Sequence, residues 1–324
     1  VYDTRTAEEL AEAIAALGDR QTRLLLGPDI DPADALEGQA LVCTSPSVNS
    51  RYPTTEPRLR SALAAVEADE HVPVVSEVDL FLRLCPAATV GVTGTKGKTT
   101  TSSLTAAVLE AGEPPVELGG NIGIPLIERL PELTSTHRVV LELSELQLPT
   151  LSRGTDIAVY THVTSDHLDR HGSLEAYREV KRRLAQLLPA GGVLVRNDDD
   201  PVVATYEAPV GARFVSYACT APVPVSVGVA GGWVVAGSAM VPEGHDGRIL
   251  PLADIPIPGE HNVSNVLAAV TVGLLYGVDP AAIADAVRSF GGVEHRLERV
   301  ATVEGVTYIN DSQGLSLIHI SEPT

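Results

Sequence analysis

A short apolar run closed by a glycine loop, Thr89-Val-Gly-Val-Thr-Gly-Thr-Lys-Gly-Lys-Thr-Thr-Thr101, constrains this chain more than any other stretch. Val90 to Val92 predict a buried strand. Gly94 to Gly97 turn the chain. Leu104, Ala107, Val108 and Ala111 then recur at helical spacing, with Gly112 as a stop. Strand, glycine loop and helix in that order make a phosphate-binding loop. Backbone N–H groups and the helix N-terminus receive a polyphosphate, the lysine neutralises its far end, and a Thr hydroxyl reaches Mg²⁺. The generic spacing puts its first glycine at position 92, where this chain has Val92. The loop is therefore the tighter form Gly94-Thr95-Lys96-Gly97-Lys98-Thr99-Thr100. ATP is the ligand it predicts.

At 324 residues, the chain has room for two domains and part of a third. Its hydrophobic content of 44% suffices for proper cores, and no uninterrupted apolar run nears the ~20 residues of a membrane span. Asp3, Glu8 and Glu9 do not suit a signal peptide. A net charge of −19 argues against a nucleic-acid surface and predicts a cytoplasmic protein. Cys43, Cys85 and Cys219 are scattered, with no CxxC pair. They predict three buried, reduced thiols and neither a disulfide framework nor a zinc site.

Both ends read as cut. A helix over 7–17 and short strands over 40–44 and 73–75 predict a small α/β unit ending near Pro86. From 87 to 292 strands and helices alternate, which predicts a parallel or mixed sheet covered on both faces. Strands are expected at 89–93, 138–143, 157–163, 192–196 and 213–217, and antiparallel strands within 223–257. Helices are expected at 100–111, 173–188, 262–276 and 280–289. A hairpin over 297–302 and 306–310 should open a further domain spanning 293–314, and residues 315–324 read as a non-native tail.

Four further clusters carry chemistry. Glu142 ends an apolar strand, at the sheet edge where ligands bind and a phosphate-loop ATPase needs an acid for Mg²⁺; alternatively it is a surface glutamate. Asp166-His-Leu-Asp-Arg-His171 follows a strand, with a density of ionisable groups that suits metal and phosphate coordination or a solvated polar loop. Lys181 falls within a helical apolar stripe of Leu174, Tyr177, Leu184 and Leu188. An inward lysine must be paired, snorkel or lose its charge, and carbamylation by CO₂ would make it a metal-binding anion. Periodicity alone favours snorkelling. Asn262 reads as a helix N-cap, whereas Asn265, one turn further in, is not explained by capping.

Together these segments resemble the Mur ligases, the ATP-dependent amino-acid-adding enzymes of peptidoglycan assembly, over 3–311. Gly94-Thr-Lys-Gly-Lys-Thr-Thr100 matches the family's phosphate loop and Gly259-Glu-His-Asn-Val-Ser-Asn265 its adenine-side motif. Gly120-Asn-Ile-Gly-Ile-Pro125, Leu141-Glu-Leu-Ser-Glu-Leu-Gln-Leu148, Asp166-His-Leu-Asp-Arg-His-Gly172, His295-Arg-Leu-Glu298 and Asn310-Asp-Ser312 extend the match. With Val1-Tyr-Asp-Thr-Arg5, they are most similar to the branch that adds D-glutamate to UDP-N-acetylmuramoyl-L-alanine. The resemblance implies an α/β fold with a partial Rossmann-like domain over 1–86, a central phosphate-loop ATPase domain over 87–292 and the start of a third domain.

It also implies roles. Lys98 would hold the β/γ-phosphates, with Gly94, Thr95, Lys96, Gly97 and Thr100 in the cradle; Thr99 and Glu142 would hold one Mg²⁺. His167 and carbamylated Lys181 would hold a second Mg²⁺, and Lys98, Lys181 and His167 would carry catalysis. Asn265, Arg296 and Asp311 would bind the adenine nucleotide, Asn121, Ser144 and Gln147 the muramoyl chain, and Asp3 and Thr4 the uracil. The implied partners are UDP-N-acetylmuramoyl-L-alanine, D-glutamate and ATP, acting on a monomer without nucleic acid or membrane insertion. Ser144-Glu-Leu-Gln147 departs from the family's Ser-Ser-Phe-Gln, and Asp311-Ser-Gln313 from Asp-Ser-Lys. With the first strand and most of the third domain missing, the chain is expected to be inactive alone. The rivals are a sister Mur or folylpolyglutamate-type ligase and a non-catalytic nucleotide-binding subunit. A phosphate-loop GTPase would need an Asn-Lys-x-Asp motif, which the chain lacks.

Overall fold

Alternating apolar side chains on adjacent parallel strands force burial on both faces, and the chain is built around such a sheet. The computed structural model describes residues 1–50, 55–69, 71–123, 125–164, 173–295, 298–303 and 305–312. The N-terminal part holds β1 (Tyr2–Asp3), α1 (Ala11–Ala16), β2 (Leu25–Leu26), α2 (Pro32–Leu36), β3 (Val42–Thr44), α3 (Pro57–Ala68) and β4 (Val74–Ser76). β1 pairs in parallel with β2, and β3 with β4. α1 is shorter than the helix expected over 7–17, since its N-cap Leu10 lies outside helical geometry and provides no side-chain cap.

The large sheet follows helix α4 (Glu77–Leu84). Its elements are β5 (Ala88–Thr93), α5 (Lys98–Glu110), β6 (Val116–Gly120), β7 (Arg138–Glu142), β8 (Ile157–Tyr160), α6 (Leu174–Gln186), β9 (Val193–Asn197) and β10 (Arg213–Tyr217). It is completed by β11 (Ser226–Ala230), β12 (Trp233–Ala236) and β13 (Arg248–Pro251), followed by α7 (Glu260–Leu275) and α8 (Pro280–Ser289). β14 (Glu298–Val303) and β15 (Val306–Asn310) form a separate antiparallel hairpin.

The strand order is β13-β12-β11-β10-β9-β8-β5-β7-β6, which places β5 between β7 and β8. From β5 the chain passes out to β6, returns to β7 and then crosses β5 to reach β8, so the winding switches sides around β5 and a crevice opens at the carboxyl end of that strand. Val90, Val92, Val140, Ile157, Val159, Val193 and Val195 share one core with α5, α7 and α8. On the other face Val139, Leu141, Leu143, Ala158, Tyr160 and Leu194 pack with Val78, Phe81 and Leu82 of α4 and with Tyr177 and Leu184 of α6. The period-two split along β7 and β8 places neighbouring residues on opposite faces.

The strands within 223–257 are antiparallel to one another as expected, β11 with β12 and β12 with β13, while β11 joins the sheet by running parallel to β10, Ser216 opposite Ser226. Pro222 and Pro224 lack N–H groups, so the link between β10 and β11 returns without forming a strand of its own. β6, an edge strand that follows Pro115 and ends in Gly119-Gly120, has no signal in the sequence. Cys43 and Cys219 are exposed and Cys85 half-buried, against the expectation of buried thiols. Cys43 lies on a two-stranded sheet and Cys219 just past the end of β10, so no second layer covers either. No helix among the described residues is long and apolar enough to cross a membrane.

Two polar anchors fix the site end of the sheet. The fully buried Tyr160 hydroxyl donates to Lys181 O at 2.7 Å and accepts from Ala185 N at 2.9 Å, bridging one turn of α6. Asp200, past β9, accepts from Val163 N, Val202 N and Val203 N, each at 2.9 Å, and faces His162 Nδ1 at 3.6 Å. Burial alone would raise the Asp200 carboxyl, but the bonds from His162 and from the backbone of Val203, Val163 and Val202 outweigh it and hold the group below its ordinary range.

Tyr160→Phe should lower unfolding stability by about 1–2 kcal/mol in urea titrations, because the α6 groups it bridged lose a buried partner. For Asp200 the folded pKa lies below the unfolded one, so its contribution is complete above about pH 4 and is lost as pH falls through the depressed value. Thermal melts of Asp200→Asn should therefore show a shallower acid loss than wild type below about pH 4; parallel curves would remove this anchor.

Candidate functional site

The loop after β5 owes its shape to glycine. Gly94 has φ +153° and Gly97 φ +84°; a Cβ at Gly94 would collide with Thr161 Oγ1, and one at Gly97 would lie 2.6 Å from Asn265 Oδ1. Its peptide groups are tied back into the protein. Thr161 N donates to Thr93 O at 2.9 Å, Lys181 Nζ to Gly94 O at 3.0 Å, Lys98 Nζ to Thr95 O at 2.9 Å and Thr161 Oγ1 to Lys96 O at 2.6 Å. Thr95 N donates to His162 O. The buried Thr95 hydroxyl meets Tyr177 Oη at 2.8 Å and accepts from Thr164 N at 3.1 Å.

α4, α6 and α8 begin with side-chain caps from Ser76, Ser173 and Asp279. α5 has Gly97 at that position and no side-chain cap. The first four N–H groups of a helix lack intrahelical partners, so Gly97, Lys98, Thr99 and Thr100 present theirs where a polyphosphate would sit.

Glu142 ends β7, opposite Val92 of β5 on one side and Gly120 of β6 on the other. It is 2% exposed, which sets aside the surface-glutamate alternative. Oε1 accepts from Asn121 Nδ2 at 2.9 Å, while Oε2 is buried with no partner among the described groups. Asn121 N also donates to Glu142 O at 2.8 Å, a wrap that requires Gly120, whose φ is +92° and whose Cβ would strike that carbonyl. A buried carboxylate oxygen without a donor is costly, and a cation is the partner that would offset it. Among the described residues no group of three His, Cys, Asp or Glu forms a ready metal cage. A cation at Glu142 would draw on the Thr99 hydroxyl and on ligand phosphates, as Mg²⁺ does in phosphate-loop enzymes.

Lys181 does not snorkel. It is fully buried, its Nζ donates to Gly94 O, and it lies 5.5 Å from the Tyr177 ring centroid. Tyr160 and Tyr177 tie the helix to the sheet and the loop, and the Lys181 side chain stays enclosed between them. Ser144 N and Oγ both donate to Gln147 Oε1, at 3.0 and 3.2 Å, so the two residues expected to face the muramoyl chain form one buried unit. Thr150 Oγ1 extends it by donating to Gln147 O at 2.6 Å and by meeting Ser76 Oγ, also at 2.6 Å.

Asn262 is not the cap of α7. Gly259 holds that position, and Asn262 sits in the first turn, donating from Nδ2 to Pro258 O at 2.6 Å. An N-cap would use Oδ1 as the acceptor of a backbone N–H, and here that oxygen accepts from Asn265 Nδ2 instead. Asn265 Nδ2 donates to Asn262 Oδ1 at 2.9 Å and Thr101 Oγ1 donates to Asn265 Oδ1 at 3.1 Å.

The structure thus gathers the loop, Glu142 with Asn121, Lys181 and Asn265 at one sheet edge. Asp3 and Thr4 lie apart, lining a cavity of about 660 Å³ in the N-terminal part, with Asp3 engaged by Arg5 at 2.8 Å. Asp311 follows β15, beyond the hairpin. His167 and Arg296 fall outside the described residues, as does the rest of the 166–171 cluster. Sequence reading missed Thr161, Thr101 and the polar role of Tyr177. A threonine past a strand and one inside a helix carry no pattern, and Tyr177 reads only as part of the apolar stripe.

With this geometry in view, the comparisons are specific. The family model described as Mur ligase middle domain matches residues 92–273. The UDP-N-acetylmuramoylalanine--D-glutamate ligase of Acidobacterium capsulatum is 37% identical over 322 residues, covering 98% of this chain and 66% of that protein. Its counterpart in Symbiobacterium thermophilum is 36% identical, over 97% of this chain and 66% of that protein. The chain thus spans just under two thirds of these relatives' length. In fold, it is similar to MurF from Acinetobacter baumannii (TM-score 0.56, 21% identity, 71% of this chain and 51% of that one). It is likewise similar to the UDP-N-acetylmuramate-alanine ligase MurC from Thermotoga maritima (TM-score 0.55, 19% identity, 96% of this chain and 67% of that one). On the middle-domain match and the identity to these relatives, the chain belongs to the Mur ligase family.

Proposed function

We propose that this chain supplies the nucleotide and uridine-substrate sites of a ligase that uses ATP to join D-glutamate to UDP-N-acetylmuramoyl-L-alanine. The observation that carries the reading is the pairing of an uncapped, backward-tied glycine loop with the buried, partnerless Glu142 Oε2 on the neighbouring strand. That pairing fits a magnesium–triphosphate, and the similarity to D-glutamate ligases points to the acceptor and the amino acid. In this reading the L-alanine carboxylate oxygen attacks the γ-phosphorus, the bond to the β-phosphate oxygen breaks and ADP leaves. The amine nitrogen of D-glutamate then attacks the acyl carbon, the bond to the phosphate oxygen breaks, and the nitrogen gives up a proton.

Bound Mg²⁺ would supply charge neutralisation between carboxylate and triphosphate. Thr99 and Glu142 would hold it, while Gly97 to Thr100 and Lys98 place the phosphates. Ser144 and Gln147, with Asn121, would guide the muramoyl chain, and Asp3 and Thr4 would meet the uracil. Asp311 and Arg296 would close on the nucleotide. We assign Lys181 as a carbamate that, with His167, would bind a second Mg²⁺, since its side chain is wholly buried beside the glycine loop with Nζ against Gly94 O. The protein would work in the cytoplasm as a monomer on these small molecules.

The reading is tested by ADP release that depends on both UDP-N-acetylmuramoyl-L-alanine and D-glutamate, in the polypeptide extended to its relatives' length. Lys98→Ala should abolish that release and weaken MgATP binding at unchanged Tm; wild-type-like turnover in the folded variant would remove the assigned role. For Lys181, ¹³C-bicarbonate at mildly alkaline pH should give a carbamate carbon resonance in the wild-type chain. Its absence, or its persistence in Lys181→Ala, would leave the lysine as an ammonium bonded to Gly94.

A further inference from the structure

Thr161 follows β8 and carries no charge, yet its side chain reaches both glycines of the phosphate loop. It is 1% exposed. Its hydroxyl donates to Lys96 O at 2.6 Å and lies 3.2 Å from Thr93 O, so it spans the loop from the end of β5 to the residue before Gly97. A Cβ on Gly94 would collide with that hydroxyl, and one on Gly97 would lie 3.6 Å from Thr161 Cβ. Thr161 is itself fixed from the sheet. Its N–H donates to Thr93 O at 2.9 Å, and the fully buried Asn197 donates from Nδ2 to Thr161 O at 3.2 Å. Two residues further on, Val163 N is held by Asp200 at 2.9 Å. The hydroxyl is therefore aimed by strands β5 and β9, and the loop takes its shape from it.

We infer that Thr161 is a positioning residue for the phosphate loop: its hydroxyl fixes the Lys96–Gly97 peptide, and polyphosphate affinity depends on that bond. This rests on the reading of the loop as a polyphosphate site. With almost no exposed surface, Thr161 acts through the peptide it holds. A hydroxyl accommodates an oxygen at 2.6 Å, whereas a methyl carbon needs roughly 3.3–3.6 Å. Thr161→Val keeps the shape of the side chain and so pushes the Lys96 carbonyl away, and the rigid peptide plane carries the Gly97 N–H with it. Thr161→Ala removes the hydroxyl without filling its place, which leaves the carbonyl free to turn beside a glycine that offers little restraint.

The test is calorimetric titration of this chain with magnesium tripolyphosphate and with MgATP. Thr161→Val should weaken both ligands by about tenfold, while Thr161→Ser, which keeps the hydroxyl, should stay within about twofold of wild type. Thr155→Val is the control. Thr155 lies before the other end of β8, is fully buried, and donates to Ile157 O at 2.7 Å, so its loss perturbs the same strand away from the loop. Its ligand affinities should match wild type at a lowered Tm. Unchanged tripolyphosphate binding in folded Thr161→Val, or equal weakening in Thr155→Val, would overturn the inference and leave Thr161 as a packing residue. Wild-type chain that binds neither ligand would reject the phosphate-loop reading itself, and this inference with it. Should Thr161→Val fail to give a cooperative melt, Thr161→Ala decides, and tripolyphosphate affinity within about twofold of wild type is the overturning result.

Discussion

The orientation of a few peptide groups between β5 and α5 governs the rest of this molecule. Peptide planes are rigid, so a carbonyl drawn to one side sends the following N–H to the other. Thr161 draws the Lys96 carbonyl towards the sheet, which turns the Gly97 N–H the opposite way, into line with the orphan donors of the first helical turn. The Gly94–Thr95 unit is bound at both ends, its oxygen by Lys181 and its nitrogen by His162 O. Without these ties the glycines would make the segment loose, and the anion-binding orientation would be one conformation among many.

Holding the loop this way obliges the protein to bury ionic groups. Lys181 and Glu142 are each almost wholly withdrawn from water, one on α6 and one on the strand beside β5. In a sheet selected for stability alone, apolar residues of similar volume would serve as well or better. Their retention at the carboxyl edge, where the strand order switches, is what separates a functional crevice from a mere end of the sheet.

The sequence displayed the central sheet because parallel strands buried on two faces leave long apolar runs, and because α6 and α8 carry clear periodicity and caps. It hid β6, which as an edge strand tolerates Pro115 just before it and Gly119 within it. Site residues were legible where chemistry and local pattern coincide, as in the glycine loop or the inward Lys181. The pairing of Thr101 with Asn265, 164 positions apart, has no local signature, since it exists only once α5 and α7 are packed. The roles of Asn262 and the three cysteines were misjudged for the same reason: capping geometry and coverage by a second layer are properties of the assembled fold.

One small junction has a mechanical meaning. Ser76 ends β4, caps α4 through Asp79 N and meets Thr150 Oγ1, while Asp79 accepts from both the amide and the hydroxyl of Ser152. The strand of the N-terminal part therefore enters the central unit through a riveted joint, not a slack tether. Thr150 is bonded to Gln147, and Gln147 to Ser144, so torque applied at β4 arrives within one short 3₁₀ turn of the segment assigned to the muramoyl chain. The N-terminal part and that segment therefore share one continuous chain of hydrogen bonds, with no slack residue between them to absorb a displacement.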